Sequence, residues 1–178
     1  MRSVAVFCGS RSGRDPAWQA AAAALGGGLA AAGIGLVYGG GRMGLMGTLA
    51  DAALAGGGSV TGVIPRFLVG RELAHRSLTR LIEVDSLHAR KQTMLELSDA
   101  VVALPGGFGT FDELIEAITW RLLGLHDKPI YVCDCNGWAA ALVALFAATS
   151  QAGFCAEDAG RAWEVVPDVP ALLARLRA

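Results

Sequence analysis

The 178 residues are enough for one domain with a full hydrophobic core, and a composition of 53% apolar against 17% charged excludes a disordered segment. The net charge of −1, with no basic block, excludes a protein that coats nucleic acid. Residues 16–41 carry no charge, but their alanines and glycines lack the Leu/Ile/Val density of a membrane span.

Residues 3–8 read as a short strand, and Gly9-Ser10 opens a turn. Asp15 and Pro16 read as cap and first residue of an Ala-rich helix that Gly33 ends. A strand at 35–38, a glycine turn at Gly39-Gly40-Gly41 and a helix at 44–55 follow. Residues 59–64 predict a third strand stopped by Pro65, residues 65–78 an irregular polar segment, and residues 79–84 a fourth strand. Asp85 or Ser86 caps a helix over 87–97, and the apolar run 100–104 leads through a glycine turn into a helix reaching about residue 123. A strand at 129–133, a helix at 138–149, a strand at 162–166 and a helix at 168–177 complete the chain. Short strands that are apolar throughout and alternate with helices predict one α/β domain over residues 1–178. Its sheet is parallel, doubly wound and Rossmann-like, with helices on both faces. Ligands bind such sheets beyond the carboxyl ends of the strands. The turns at Gly9-Ser10, Gly39-Gly40-Gly41 and Gly106-Gly107 should therefore share one rim.

Pro105-Gly106-Gly107-Phe108-Gly109-Thr110-Phe111-Asp112-Glu113 carries the strongest chemical signal. A helix N-terminus offers unbonded amides and the positive end of a dipole, and glycines let an anion approach the backbone. This loop is expected to hold a nucleotide 5′-phosphate, with Thr110 at the cap and Glu113 aimed at the sugar–base bond. The same spacing also fits a capping box, in which Thr110 and Glu113 serve only the helix. On the preceding helix Leu87, Met94 and Leu97 form an inward stripe, and Arg90 falls on it. A charge there needs an anion or a route back to solvent. Gly39-Gly40-Gly41-Arg42-Met43-Gly44 fits G-x-G-x-x-G, but no acidic residue ends the next strand, so a nicotinamide cofactor is not expected.

The cysteines Cys8, Cys133, Cys135 and Cys155 contain no C-x-x-C pair, and Cys133-Asp134-Cys135 is too close for a zinc knuckle. Reduced thiols, no metal and a cytoplasmic protein are expected. The first ten residues carry an apolar run too short for a secretory signal.

Cys8-Gly9-Ser10, Tyr38-Gly39-Gly40-Gly41-x-x-Gly44-Leu45-Met46-Gly47, Val63-Ile64-Pro65, His88-x-Arg90-Lys91-x-x-Met94 and Pro105-Gly106-Gly107-x-Gly109-Thr110-x-x-Glu113 occur in this order. Together they resemble the Lonely Guy family, cytokinin-activating nucleoside 5′-monophosphate phosphoribohydrolases often labelled lysine decarboxylases. The resemblance thins after about residue 129. It implies a dimeric Rossmann-like enzyme that hydrolyses the N-glycosidic bond of an adenine-type nucleotide to free base and ribose 5-phosphate, without a cofactor. Arg90 and Glu113 match the family's catalytic pair. Glu72, Lys91, the loop of Gly107, Phe108, Gly109, Thr110 and Asp112, and Thr119 match its substrate contacts. Gly9, Ser10, Gly40, Gly41 and Gly106 are expected as further walls of the nucleotide site. Asp112, Phe108 and Leu87 depart from the residues frequent there, which touches base preference more than chemistry. The alternative is a nucleotide sensor of the same fold, which has no need of the Arg90/Glu113 pair. Lysine decarboxylation would need a pyridoxal phosphate lysine, and neither Lys91 nor Lys128 sits in a recognisable setting for one.

Overall fold

The computed structural model describes residues 1–70, 74–156 and 159–178. Among them seven strands pair in parallel in one sheet: β1 (Ser3–Phe7), β2 (Gly35–Tyr38), β3 (Val60–Pro65), β4 (Arg80–Val84), β5 (Ala100–Ala103), β6 (Ile130–Cys133) and β7 (Glu164–Val166), ordered β4-β3-β2-β1-β5-β6-β7. The connecting helices are α1 (Pro16–Ala31), α2 (Gly44–Ala55), α3 (Leu87–Glu96), α4 (Phe108–Leu122), α5 (Ala140–Gln151) and α6 (Val169–Arg177).

Alternate residues of each central strand face opposite layers, as the period of two requires. Val4, Val6, Leu36, Tyr38 and Val102 pack with Leu25 and Leu29 of α1, Leu49 of α2 and Leu172 of α6. Ala5, Phe7, Val37, Val101 and Ala103 pack with Met94 of α3, Leu114 and Ile118 of α4 and Leu142 of α5. Both faces are thus covered by apolar helix stripes, and the strands need no polar face. The fold is the doubly wound, Rossmann-like α/β arrangement.

The winding reverses between β1 and β5, which lie side by side although α1 to α3 separate them in the chain. Val6 is level with Tyr38 on one side and with Val102 on the other. The carboxyl ends of β1, β2 and β5 therefore finish together, and their three glycine turns stand on one rim at the switch point. Asp15, Ser86 and Asp168 cap α1, α3 and α6 with side-chain acceptors.

Several boundaries differ from the sequence expectation. Pro65 is the last residue of β3 rather than its stop, paired in register with Val84. α5 begins at Ala140 rather than at Trp138, after a tight turn in which Asn136 (φ 53°) and Gly137 (φ 78°) are left-handed. Leu87, read as part of an inward stripe, is exposed at the start of α3. No helix among the described residues is long and apolar enough to cross a membrane.

Candidate active site

The turn after β5 differs from its sequence reading in a way that matters for chemistry. α4 starts at Phe108, with Gly107 at the cap position and no side chain capping the helix. Thr110 is therefore not the cap. It sits buried in the first turn, with its hydroxyl against Gly106, where any Cβ would overlap it. The capping box is not formed, and Glu113 lines a cavity instead. The turn's carbonyls are all held by protein donors. Pro105 O accepts from Gly9 N (3.0 Å), Gly106 O from the Trp138 indole (3.3 Å) and Gly107 O from Phe111 N (3.0 Å). The first amides of α4 have no acceptor within the helix.

Arg90 reaches the same place from α3. Ser86 Oγ accepts from Ala89 N (3.0 Å) and fixes the start of that helix. One turn on, Arg90 points into the protein and is only 5% exposed. Burying a guanidinium is costly unless its donors are used. Nε donates to Val63 O (3.1 Å) and Nη2 to Gly39 O (2.8 Å), the carbonyls at the ends of β3 and β2. Nη1 stands 3.8 Å from Glu113 Oε1, whose side chain is 14% exposed. Gly39 must lack a side chain, since a Cβ there would overlap the guanidinium. A cation and a carboxylate 23 positions apart in sequence thus meet at one end of the sheet.

They line a cavity of about 440 Å³, together with Gly9, Ser10, Gly39, Gly106, Gly107, Phe108, Gly109 and Thr110. Phe108 is almost fully exposed at its rim. Cys8 also faces it; burial and then the Glu113 carboxylate push its thiol up, with Arg90 opposing, which disfavours a thiolate there. Several walls were not found by sequence reasoning, among them Arg11 and the indoles of Trp18 and Trp138. Trp18 Nε1 donates to Cys135 O (3.2 Å), and Trp138 stacks on Phe111 with ring centroids 5.7 Å apart. Only their size and Trp138's position after a strand hinted at a role.

Other expected site residues lie elsewhere. Gly40 and Gly41 do not line the cavity; Gly40 O accepts from His75 N (2.9 Å) and Gly41 bridges to Ala74. Lys91 is paired with Asp112 (3.0 Å) and Glu116. Burial pulls Lys91 down, but these two partners outweigh it and hold the amine above its ordinary value. Asp112 is exposed, and Thr119 is exposed with its hydroxyl donating to Ile115 O (2.7 Å). Glu72 lies outside the described residues.

Residues 46–176 match the family described as possible lysine decarboxylase. The chain is 43% identical over 175 residues to a probable cytokinin riboside 5′-monophosphate phosphoribohydrolase of Oryza sativa subsp. japonica, across 98% of this chain and 77% of that one. It is 42% identical over 177 residues to the cytokinin riboside 5′-monophosphate phosphoribohydrolase of Rhodococcoides fascians, across 99% and 89%. The chain belongs to the Lonely Guy family. The fold of this Lonely Guy chain is shared with the molybdenum cofactor carrier protein of Chlamydomonas reinhardtii, at a TM-score of 0.76 and 24% identity over 99% of this chain and 96% of that one. That identity speaks for fold alone. The decarboxylase label implies a pyridoxal phosphate lysine, and the residues do not fit one. Lys91 is held by two carboxylates, Lys128 donates to Leu95 O and Ser98 O at the end of α3, and neither lines the cavity.

Proposed function

We propose that this protein hydrolyses the N-glycosidic bond of adenine-type nucleoside 5′-monophosphates, cytokinin riboside 5′-monophosphate and AMP, to free base and ribose 5-phosphate. The carrying observation is that the Arg90/Glu113 pair and the unsheltered start of α4 face one cavity. Loop amides and the positive helix end suit a phosphate, and a carboxylate suits the positive charge that grows on the sugar as its bond to the base breaks. In the step proposed, water oxygen bonds to the anomeric carbon as the carbon–nitrogen bond breaks. The electron pair leaves with the base, which takes up a proton. Glu113 accepts the proton from water and passes it on, through solvent, to the base, so one water accounts for both products. Arg90, fixed by two carbonyls, holds the carboxylate in place. Anchoring the phosphate aligns the sugar with Glu113, a gain in orientation rather than in chemistry. Gly9 and Ser10 complete the phosphate side, and Lys91 with Asp112 stiffens the outer face of α4.

The working form is proposed to be a homodimer acting in the cytoplasm. Ile115 and Leu122 on α4 and Leu123 and Leu125 just after it are exposed, an apolar band that a second copy would cover. The four free thiols suit a reducing compartment.

Glu113→Gln is expected to lower kcat on AMP by roughly 10²–10⁴-fold, with the fold intact by circular dichroism. A folded Gln variant with near-normal turnover removes Glu113 from the mechanism. Incubation of the wild-type protein with AMP and with isopentenyl-AMP is expected to release free base. Binding without release would make it a sensor instead.

A further inference from the structure

We infer that Trp138 is a positioning residue for the glycine turn after β5, acting through the carbonyl of Gly106. The role rests on the reading of that turn as a phosphate cradle. In a tight turn each peptide plane has two sides, and a carbonyl facing the ligand would repel an anion. The carbonyls of Pro105 and Gly107 are turned away by backbone amides, those of Gly9 and Phe111. Gly106 has no such backbone donor. Its carbonyl is taken by the indole N–H of Trp138, at 3.3 Å. That bond orients the peptide that joins Gly106 to Gly107, and both residues line the cavity.

The indole is itself held. It lies nearly parallel to the Phe111 ring, 9° from coplanar, and Phe111 stands on the first turn of α4. Its own residue follows Gly137 in the loop after β6, where Asp134 Oδ1 accepts from Ala139 N (2.8 Å). Three pieces of chain, the turn, the start of α4 and the β6–α5 loop, thus converge on one side chain. Thr110 closes Gly106 from the other side.

Two variants separate the N–H from the ring. Trp138→Phe keeps a ring for Phe111 and loses the donor. Trp138→His loses the outer ring and keeps an N–H at the corresponding position of a planar five-membered ring. The measurement is calorimetric binding of ribose 5-phosphate and of adenine, neither of which contains the bond to be cleaved, with Tm recorded for each variant. Trp138→Phe is expected to weaken ribose 5-phosphate about threefold to tenfold, the span of one neutral hydrogen bond, and to leave adenine unchanged. Trp138→His is expected to recover most of the lost affinity at a pH where its imidazole is neutral. Equal weakening of both ligands, or no recovery in the His variant, overturns the inference and leaves Trp138 as packing. Wild-type protein that binds no ribose 5-phosphate overturns the cradle reading and this role together. Wild-type binding with an unaffected Phe variant overturns this role alone.

Discussion

Two glycine turns stand on the same rim of the sheet, one after β2 and one after β5, and each leads into a helix. The turn after β2 is closed. Gly39, Gly40 and Gly41 are buried, their segment is covered by Ala74 and His75, and the start of α2 is sealed where Met46 N donates to Gly9 O (3.2 Å). The turn after β5 is open. Gly107, Phe108 and Gly109 are exposed, and no side chain caps α4. The difference teaches that glycine in such turns serves two distinct ends. After β2 it makes room for a neighbouring side chain, the Arg90 guanidinium, and offers it a carbonyl. After β5 it leaves the start of α4 without a side-chain cap, beside the cavity.

The comparison breaks most visibly at Gly39. Alanine there collides with the guanidinium and crowds Met46. Arg90 must give up its bond to the Gly39 carbonyl or shift away from Glu113. Gly39→Ala is expected to cost about 1–3 kcal/mol in denaturant unfolding, the usual cost of overpacking. It is also expected to lower kcat by roughly 10²-fold, the effect of an ångström-scale misplacement of a reacting group. A variant with normal kcat would show that Arg90 need not be held there.

Gly107 should answer differently. A Cβ there meets nothing within 4 Å, and the backbone is extended (φ −110°), so alanine fits without strain. The stability change is expected to stay under about 1 kcal/mol, the difference between glycine and alanine at a helix cap. Yet the methyl group occupies the approach to the turn's amides. KM for AMP is expected to rise roughly tenfold or more, the loss of one hydrogen bond to a charged group, with kcat little changed. Unchanged steady-state KM would move the phosphate away from this turn.

The fold was legible because strands and helices alternate cleanly and glycines punctuate nearly every junction. Arg90 was legible too, as a charge on an apolar stripe, although Leu87 at the head of that stripe faces solvent. Thr110 misled because T-x-x-E is the signature of a capping box, while a glycine cap at Gly107 lets α4 begin three residues sooner. Gly40 and Gly41 looked like site walls because a motif cannot say which glycines a distant segment will cover. Trp18 and Trp138 were invisible for a similar reason. One lies on α1 and the other after β6, and only the packing of both elements around the switch point brings the two indoles to one cavity.

Gly109 offers the smallest effect and the sharpest contrast with Gly39. It occupies the first turn of α4, and a Cβ there also meets nothing within 4 Å. Glycine inside a helix loses more backbone freedom on folding than alanine does, by about 0.5–1 kcal/mol, with the lower end of that range fitting a position so near the terminus. Gly109→Ala is therefore expected to raise Tm slightly, where Gly39→Ala lowers it. A methyl group beside the open amides should still weaken AMP, by about twofold to fivefold in KM, a fraction of one hydrogen bond. Stability and affinity would then move in opposite directions, as they do when a residue is kept for its ligand rather than its fold. Were the variant both more stable and fully active, Gly109 would be dispensable, and the bare backbone of the turn would have to do its binding through Gly107 and Phe108 alone.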